Sequence, residues 1–185
     1  MLGKDVTWDA KTNTAGINDK GFKEPSTGNA KNQNGYDKSK TGNLEGNITW
    51  QYNKFIGTKA DTGAKICLIP TNLSKESDNS FFTIALKQIP NGENGIYTAE
   101  ADGYGSYKMQ DIPAGEYYLL ISSNNTYSDM TINSWDESRL KAIFSDSDWE
   151  KLENGLKSNK YHLKTIQIEE NKTKTESYDF GYTYF

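Results

Sequence analysis

Short apolar runs that alternate with polar residues constrain the fold of this 185-residue chain more than any other feature. From residue 44 onward, apolar side chains recur at every second position, and Gly, Pro, Asn or Asp separates one run from the next. Successive side chains of a strand point to opposite faces of a sheet, so a period of two indicates strands with one buried face. The pattern predicts a mainly β domain. The clearest sets are Ile48, Trp50 and Tyr52, then Ala64, Ile66 and Leu68, then Phe82, Ile84 and Leu86.

Turn residues divide the remainder of the chain into further strands. Asp102-Gly103 is a strong hairpin signal, because glycine tolerates the positive φ that such turns require. Pro113-Ala114-Gly115 indicates a second corner. Between and beyond these turns, the alternation predicts strands at 96–101, 104–109, 116–121, 161–169 and 175–185.

The predicted strand 116–121 is apolar on both faces, so a second layer must cover its outer face, where Tyr118 and Leu120 lie. Two short amphipathic helices at about 135–157 are the candidate layer. Ser134-Trp135-Asp136-Glu137 is typical of a capping box, and Ser145 of a second N-cap. Helices this short are not stable alone in water, so we expect them to dock on the sheet. Their apolar residues are Leu140, Ile143, Phe144, Trp149, Leu152 and Leu156.

Five motifs occur in a recognisable order. They are Gly46-Asn47-Ile48-Thr49-Trp50, Asp61-Thr62-Gly63-Ala64-Lys65-Ile66, Asp102-Gly103-Tyr104-Gly105-Ser106-Tyr107, Ile112-Pro113-Ala114-Gly115-Glu116-Tyr117 and Tyr178-Asp179-Phe180. Their order resembles the carboxypeptidase regulatory-like domain, which is transthyretin-like. The resemblance spans residues 44–185 and implies a seven-stranded Greek-key prealbumin-like β-sandwich, here with a short helical insertion at about 135–157. It also implies a domain without catalytic residues, used beside other domains as a folding aid, spacer or adhesive module.

Residues 1–43 have the composition of a linker, rich in Gly, Asn and Lys with few apolar side chains. A hairpin is predicted where Val6-Thr7-Trp8 precedes residues 9–14. Residues 2–14 resemble the closing hairpin of copper amine oxidase N-terminal-like modules, which serve as stalks on bacterial surface proteins. We therefore divide the chain into a linker or stalk remnant at 1–43 and a sandwich domain at 44–185.

Composition argues against several classes of function. A net charge of −4 offers no basic surface for phosphate groups, so nucleic-acid binding is not expected. No apolar run approaches the roughly 20 residues of a spanning helix, so we expect no membrane insertion by this segment. The single cysteine, Cys67, forms no intramolecular disulfide, and its apolar neighbours favour packing. The Asn-, Lys- and Tyr-rich composition is typical of bacterial proteins located outside the cell or on its surface.

Residues with catalytic or metal-binding potential are sparse. His162 is the only histidine, and no neighbour in sequence completes a triad or a zinc site. The acidic run 146–150 alternates as in a calcium loop, but Lys151 stands where that loop needs glycine, so helix capping explains it better. An isopeptide bond between Lys65 and Asp179, as in pilin-like sandwiches, is a further hypothesis, although the Glu-containing strand motif of those domains is absent here. We expect no enzymatic activity, no cofactor and no metal.

The chain contains 12 tyrosines, and they are its main candidates for binding. We expect Trp50, Tyr52, Tyr117 and Phe180 in the core, because strands favour aromatic side chains for packing. The tyrosines that the pattern constrains less are Tyr104, Tyr107, Tyr127, Tyr182 and Tyr184.

The sequence as a whole indicates a non-catalytic structural or interaction module, a spacer or adhesion domain of a secreted or surface-exposed bacterial protein. Its expected partners are neighbouring domains of that protein, together with a glycan or protein ligand. The alternative hypothesis is a carbohydrate-binding module in which exposed tyrosines stack on sugar rings.

Overall fold

The computed structural model describes residues 35–75 and 92–182, and the backbone of β1 (Thr7–Asp9) and β2 (Thr14–Gly16), which pair antiparallel. The predicted strand containing Phe82, Ile84 and Leu86 lies outside the described residues. The further elements, in chain order, are β3 (Thr41–Asn53), β4 (Gly57–Ala60), β5 (Lys65–Pro70), β6 (Tyr97–Glu100), β7 (Ser106–Pro113), β8 (Gly115–Tyr127), α1 (Ser134–Ile143), α2 (Asp146–Ser158), β9 (Asn159–Ile168), β10 (Thr173–Thr175) and β11 (Tyr178–Tyr182).

The first sheet is organised around β3, a strand of 13 residues. Along one side, β3 pairs antiparallel with β7 over its first half and with β4 over its second half. Along the other side it pairs parallel with β10 and then with β11. Each side of β3 is therefore shared by two shorter strands, and the two sheets that face each other hold five and four strands. The division of the chain after residue 43 stays a prediction, although β3 begins at Thr41.

The second sheet has the order β6-β5-β8-β9 and is antiparallel throughout. Its inner face packs on the first sheet in a cluster that includes Leu44, Ile48, Ile66, Leu68, Tyr117, Leu119, Ile121, Ile166, Ile168 and Phe180. Its outer face is covered by α1 and α2 in a second cluster that includes Ile69, Leu120, Leu140, Phe144, Trp149, Leu152 and Leu156. The predicted mainly β sandwich with a short helical insertion is confirmed. No helix in the described part of the chain is long and apolar enough to cross a bilayer.

Capping residues determine where the two helices begin. Ser145 Oγ accepts the backbone N–H of Asp148 at 3.2 Å, which confirms the predicted cap of α2. The N-cap of α1 is Asn133, whose Oδ1 accepts the N–H of Trp135 at 2.9 Å, so the predicted capping box at Ser134 is wrong. Asn caps helices as well as Ser does. The hydroxyl of Tyr161 also accepts the N–H of Asn133 at 3.1 Å, which holds this residue just outside the helix.

The turn between β6 and β7 contains the predicted hairpin signal, but a different glycine adopts the positive φ. The Asp102 Oδ1 accepts two backbone N–H groups of the turn, at 2.8 and 2.9 Å. Gly105, not Gly103, has a φ of +81°. A Cβ at Gly105 would also lie 2.3 Å from the carbonyl oxygen of Ile48, so this position needs glycine for two reasons.

Gly46, the first residue of the first family motif, lies where the connection from β10 to β11 passes close to β3. A Cβ on Gly46 would lie 1.8 Å from the carbonyl oxygen of Glu176. We expect Gly46→Ala to lower the free energy of unfolding by about 1–3 kcal/mol, because the connection must move away from β3. Gly103→Ala is the matched control, since a Cβ there meets nothing within 4 Å. Equal urea midpoints for the two variants would contradict this close passage.

The first residue of β3 and the last residue of β11 lie at opposite ends of the sandwich. Tyr36 packs on Tyr117, with 5.2 Å between ring centroids, beside the first residues of β3. β11 ends at Tyr182, which pairs with Gln51 near the other end of β3. A strand that rises about 3.3 Å per residue covers about 33 Å between Thr41 and Gln51. We call these ends the N-terminal pole and the C-terminal pole.

Candidate binding surface

The exposed tyrosines predicted to bind a ligand belong to three different elements of the fold. Tyr104 is 84% exposed in the turn before β7, Tyr127 is 65% exposed at the end of β8, and Tyr182 is 39% exposed at the end of β11. Within the described ranges, no ring contact joins these three side chains. Tyr184 lies outside the described residues. A binding role for these tyrosines stays a prediction.

Tyr107 differs from the other candidates because it is buried. Its hydroxyl donates a hydrogen bond to the carbonyl oxygen of Glu176 at 2.7 Å, and burial raises the pKa of this hydroxyl. Tyr107 alternates with Met109 on the inner face of β7, where the facing sheet covers both. The expectation of an exposed ring is corrected at this position, and Tyr107 is not available for stacking.

The hairpin between β3 and β4 presents apolar side chains to water at the C-terminal pole. Phe55 is 99% exposed and Ile56 is 55% exposed. Asn53 Oδ1 accepts the backbone N–H groups of both residues, at 2.9 and 2.8 Å, which fixes the turn in this conformation. The adjacent Tyr52 is also exposed. We name Tyr52, Phe55 and Ile56 the hairpin-tip surface, because apolar side chains exposed to water on one turn favour contact with a partner.

Tyr52 was expected in the core and is not there. Along the inner face of β3, Ile48 is fully buried, Trp50 is partly buried and Tyr52 is 46% exposed. The cover from the facing sheet therefore ends near Trp50. The Tyr52 ring instead packs edge-on against Trp50, at 5.6 Å between centroids, and Lys59 Nζ lies 4.3 Å from its centroid. Tyr117 and Phe180 are buried in the core as predicted.

His162 joins the two sheets at their β9 and β11 edges. Its ring stacks on Tyr178 with 4.0 Å between centroids and 14° between ring planes. Burial lowers the pKa of His162 below its ordinary value, and Lys164 lowers it further, while Asp136 and Glu176 act in the opposite direction. The imidazole is therefore neutral at neutral pH, and its position suits packing between the sheets.

The stability of the domain is expected to fall as the pH drops below the ordinary histidine pKa of 6.5. The unfolded chain binds a proton at His162 more readily than the folded chain, so acidification favours unfolding through this group. His162→Phe keeps an aromatic ring without a titratable group, and the loss of stability between pH 7.5 and pH 5.5 should be smaller in this variant. Urea unfolding at both pH values measures the difference. An identical loss in both proteins would contradict the neutral, stacked imidazole.

Asp61 is a buried carboxylate whose hydrogen bonds are satisfied within the fold. Its oxygens accept Ser123 Oγ at 2.6 Å, Asn125 Nδ2 at 2.6 Å and the backbone N–H of Asn124 at 3.2 Å. These bonds tie the turn before β5 to the end of β8, so this carboxylate stabilises the fold.

The fold does not bring together the residues of the other candidate sites. Lys65 forms an ion pair with Glu100 on the second sheet, whereas Asp179 accepts a hydrogen bond from Gln51 at 3.1 Å on the first, which contradicts the isopeptide hypothesis. Among the described residues, no group of three or more His, Cys, Asp or Glu side chains could hold a metal ion. Burial raises the pKa of the Cys67 thiol to about 12, although the residue keeps some accessible surface. The thiol is therefore protonated at neutral pH.

Comparison with known proteins found similarity only to solved structures. No protein-family model and no curated protein matches the chain. A minor pilin of the Gram-positive pathogen Streptococcus agalactiae matches with a TM-score of 0.42 and 15% identity, over 79% of this chain and 46% of the pilin. A proposed carbohydrate-binding protein of Pseudomonas aeruginosa matches with a TM-score of 0.37 and 15% identity, over 76% of this chain and 88% of that protein. This chain thus spans less than half the length of the pilin.

Proposed function

We propose that this domain is a non-catalytic spacer and interaction module of a secreted or surface-exposed bacterial protein. The observation that carries the proposal is the placement of the two poles, about 33 Å apart along β3 at about 3.3 Å per residue. A module with this geometry adds length between the parts of a protein that it connects. The proposed carboxypeptidase regulatory-like relationship, which rests on the order of the five motifs, implies the same use.

Packing on both faces of the second sheet supports the spacer function. The inner face packs on the first sheet and the outer face packs on the helices, so β8 is held from both sides. A closely packed interior resists deformation. The hairpin-tip surface then supplies an apolar contact for a neighbouring domain at the C-terminal pole.

A domain exchange in the surface protein tests this function. In one version the domain is deleted, and in another it is replaced by an unrelated folded domain of similar span. We expect the exchange to preserve, and the deletion to impair, the activity of the more distal part of the protein on the cell surface. If the exchange impairs that activity as severely as the deletion, the spacer function is wrong and the surface of this domain is itself required.

Carbohydrate binding is the second candidate, and the C-terminal pole favours it. Tyr182 is partly exposed there, next to a hydrogen-bonded pair in which Gln51 Nε2 donates to Asp179 Oδ2 at 3.1 Å. Sugar sites combine aromatic faces with polar groups of this kind. A glycan array tests the hypothesis with Tyr182→Ala and with the buried control Tyr107→Phe. Binding that is lost in the first variant and kept in the second supports it, and the absence of any bound glycan excludes it for the glycans on the array.

A further inference from the structure

The first and last strands of the sandwich run parallel and are hydrogen-bonded side by side. Beyond the β10 and β11 ladders, four bonds join the C-terminal segment to β3 along its length. They are Asn171 N–H to Thr41 O at 2.8 Å, Asn43 N–H to Lys172 O at 2.8 Å, Glu176 N–H to Glu45 O at 2.8 Å, and Asn47 N–H to Ser177 Oγ at 3.0 Å. We call this pairing of β3 with residues 171–182 the terminal-strand clamp.

Tension on the chain would act on this clamp in a definite direction. A pull on the N-terminal side reaches β3 at Thr41, while a pull on the C-terminal side reaches β11 at Tyr182, at the opposite pole. Because the strands are parallel, the two forces slide them past each other along their axes. The hydrogen bonds of the clamp are then loaded together, in shear. Strands pulled apart from one end would instead lose their bonds one after another.

We propose that this domain is a load-bearing element, in which the terminal-strand clamp resists tension between the two poles. Each hydrogen bond contributes little to equilibrium stability, but bonds that must break in one step add their contributions to a single barrier. The rate of forced unfolding depends on that barrier rather than on the equilibrium free energy. The parallel geometry therefore gives mechanical resistance beyond what thermodynamic stability alone provides.

Side chains reinforce the clamp between β10 and β11 and at the end of β11. Glu176 forms ion pairs with Lys164 at 2.7 Å and Lys174 at 3.5 Å, and its side chain is only 15% exposed. At the end of β11, Lys160 Nζ donates to the carbonyl oxygens of Tyr182 at 2.5 Å and Phe180 at 3.4 Å. Lys160 and Lys164 belong to β9 of the second sheet. These contacts connect the loaded strand to the other layer of the sandwich.

This inference deepens the spacer function and rests on it for its biological setting. A spacer between a cell surface and a distal partner experiences tension whenever the partner is pulled. The mechanical property itself belongs to the isolated chain and can be measured there. If the unfolding force between the termini does not exceed that in the other pulling direction, the load-bearing inference is wrong and the spacer function still stands. The domain exchange tests the spacer function alone.

Single-molecule force spectroscopy of the full chain in two pulling directions tests the proposal. In the first direction, handles at the two chain termini load the clamp in shear. In the second, handles at Lys54→Cys and the C-terminus lie at the same pole and pull β11 away from β3 from one end. We expect a clearly higher unfolding force in the first direction at the same loading rate. Equal forces, or a higher force in the second direction, would overturn the proposal.

A variant of the clamp provides a second, independent readout. Ser177→Ala removes the bond to the N–H of Asn47, and we expect unfolding about fivefold faster at constant force between the termini. The matched control is Ser134→Ala, an exposed serine at the start of α1, which should leave this rate unchanged. The effect of Ser177→Ala should be smaller in the second pulling direction, where bonds break singly. An equal effect in both directions, or none in the first, would contradict the clamp.

Discussion

Replacing Trp149 with alanine is expected to lower the free energy of unfolding of the whole domain by about 3–5 kcal/mol, as truncation of core aromatic side chains does. Trp149 is only 6% exposed and belongs to the cluster that α1 and α2 form with the outer face of the second sheet. Lys141 Nζ also lies 5.2 Å from its ring centroid. If the helices are an integral layer of the fold, loss of this side chain weakens the sandwich itself. Urea unfolding followed by circular dichroism measures the change.

Trp135→Ala is the matched control for this prediction. Trp135 lies in the same helical insertion but is 75% exposed at the start of α1. Its truncation should change the free energy of unfolding by no more than about 0.5 kcal/mol. If Trp149→Ala unfolds at the same urea midpoint as the parent, the helices are not part of the cooperative core, and a separately folding partner-binding lobe becomes the better account.

Leu119→Ala is expected to cost about 2–5 kcal/mol, through the lost burial and the cavity left between the sheets. Leu119 is 1% exposed on the inner face of β8 and is paired in register with Leu68 of β5 and Lys164 of β9. Because β8 lies between two strands and between two packed layers, neighbouring side chains have little freedom to fill the space. The same urea experiment measures the effect.

Ile56→Ala is the control for Leu119→Ala, since it shortens an aliphatic side chain that is 55% exposed on the hairpin tip. It should alter the free energy of unfolding by about 0.5 kcal/mol or less. A loss below about 1 kcal/mol for Leu119→Ala would show that the inter-sheet core is not packed at this position.

The local parts of the fold were predictable because they depend on neighbours in sequence. Alternation placed Ile66 and Leu68 on the inner face of β5, where both are buried. The apolar outer face of β8 required a cover, and Leu120 is indeed packed beneath the helices. Ser145 was identified as an N-cap because its side chain needs only the next turn of backbone as a partner.

The features that the sequence did not predict depend on where strands end and which strands meet. Tyr52 continues the alternation of Ile48 and Trp50, but alternation does not reveal that the facing sheet ends near Trp50. The parallel pairing of β3 with β10 and β11 joins residues more than 120 positions apart, and no local pattern specifies it. The burial of Tyr107 could be predicted from the sequence, since Tyr107 alternates with Met109 on β7.

The sequence of the hairpin tip also contains an indication that these residues are exposed, which alternation alone does not detect. In Asn53-Lys54-Phe55-Ile56-Gly57, two consecutive apolar residues stand between turn formers and break the alternation of β3. A turn places both side chains away from the core, because neither belongs to a strand that faces it. Apolar residues inside a predicted turn are therefore a useful indication of a contact surface.

The distance between the poles tests the central claim most directly. Spin labels at Lys38→Cys and Tyr182→Cys, in a Cys67→Ala background, mark the two ends of the sandwich, and pulsed electron paramagnetic resonance measures their separation. We predict one narrow population at about 30–40 Å, set by the rise of β3 at about 3.3 Å per residue. A population centred below about 20 Å, too short for ten residues of extended strand, would place both ends at one pole and contradict the spacer geometry.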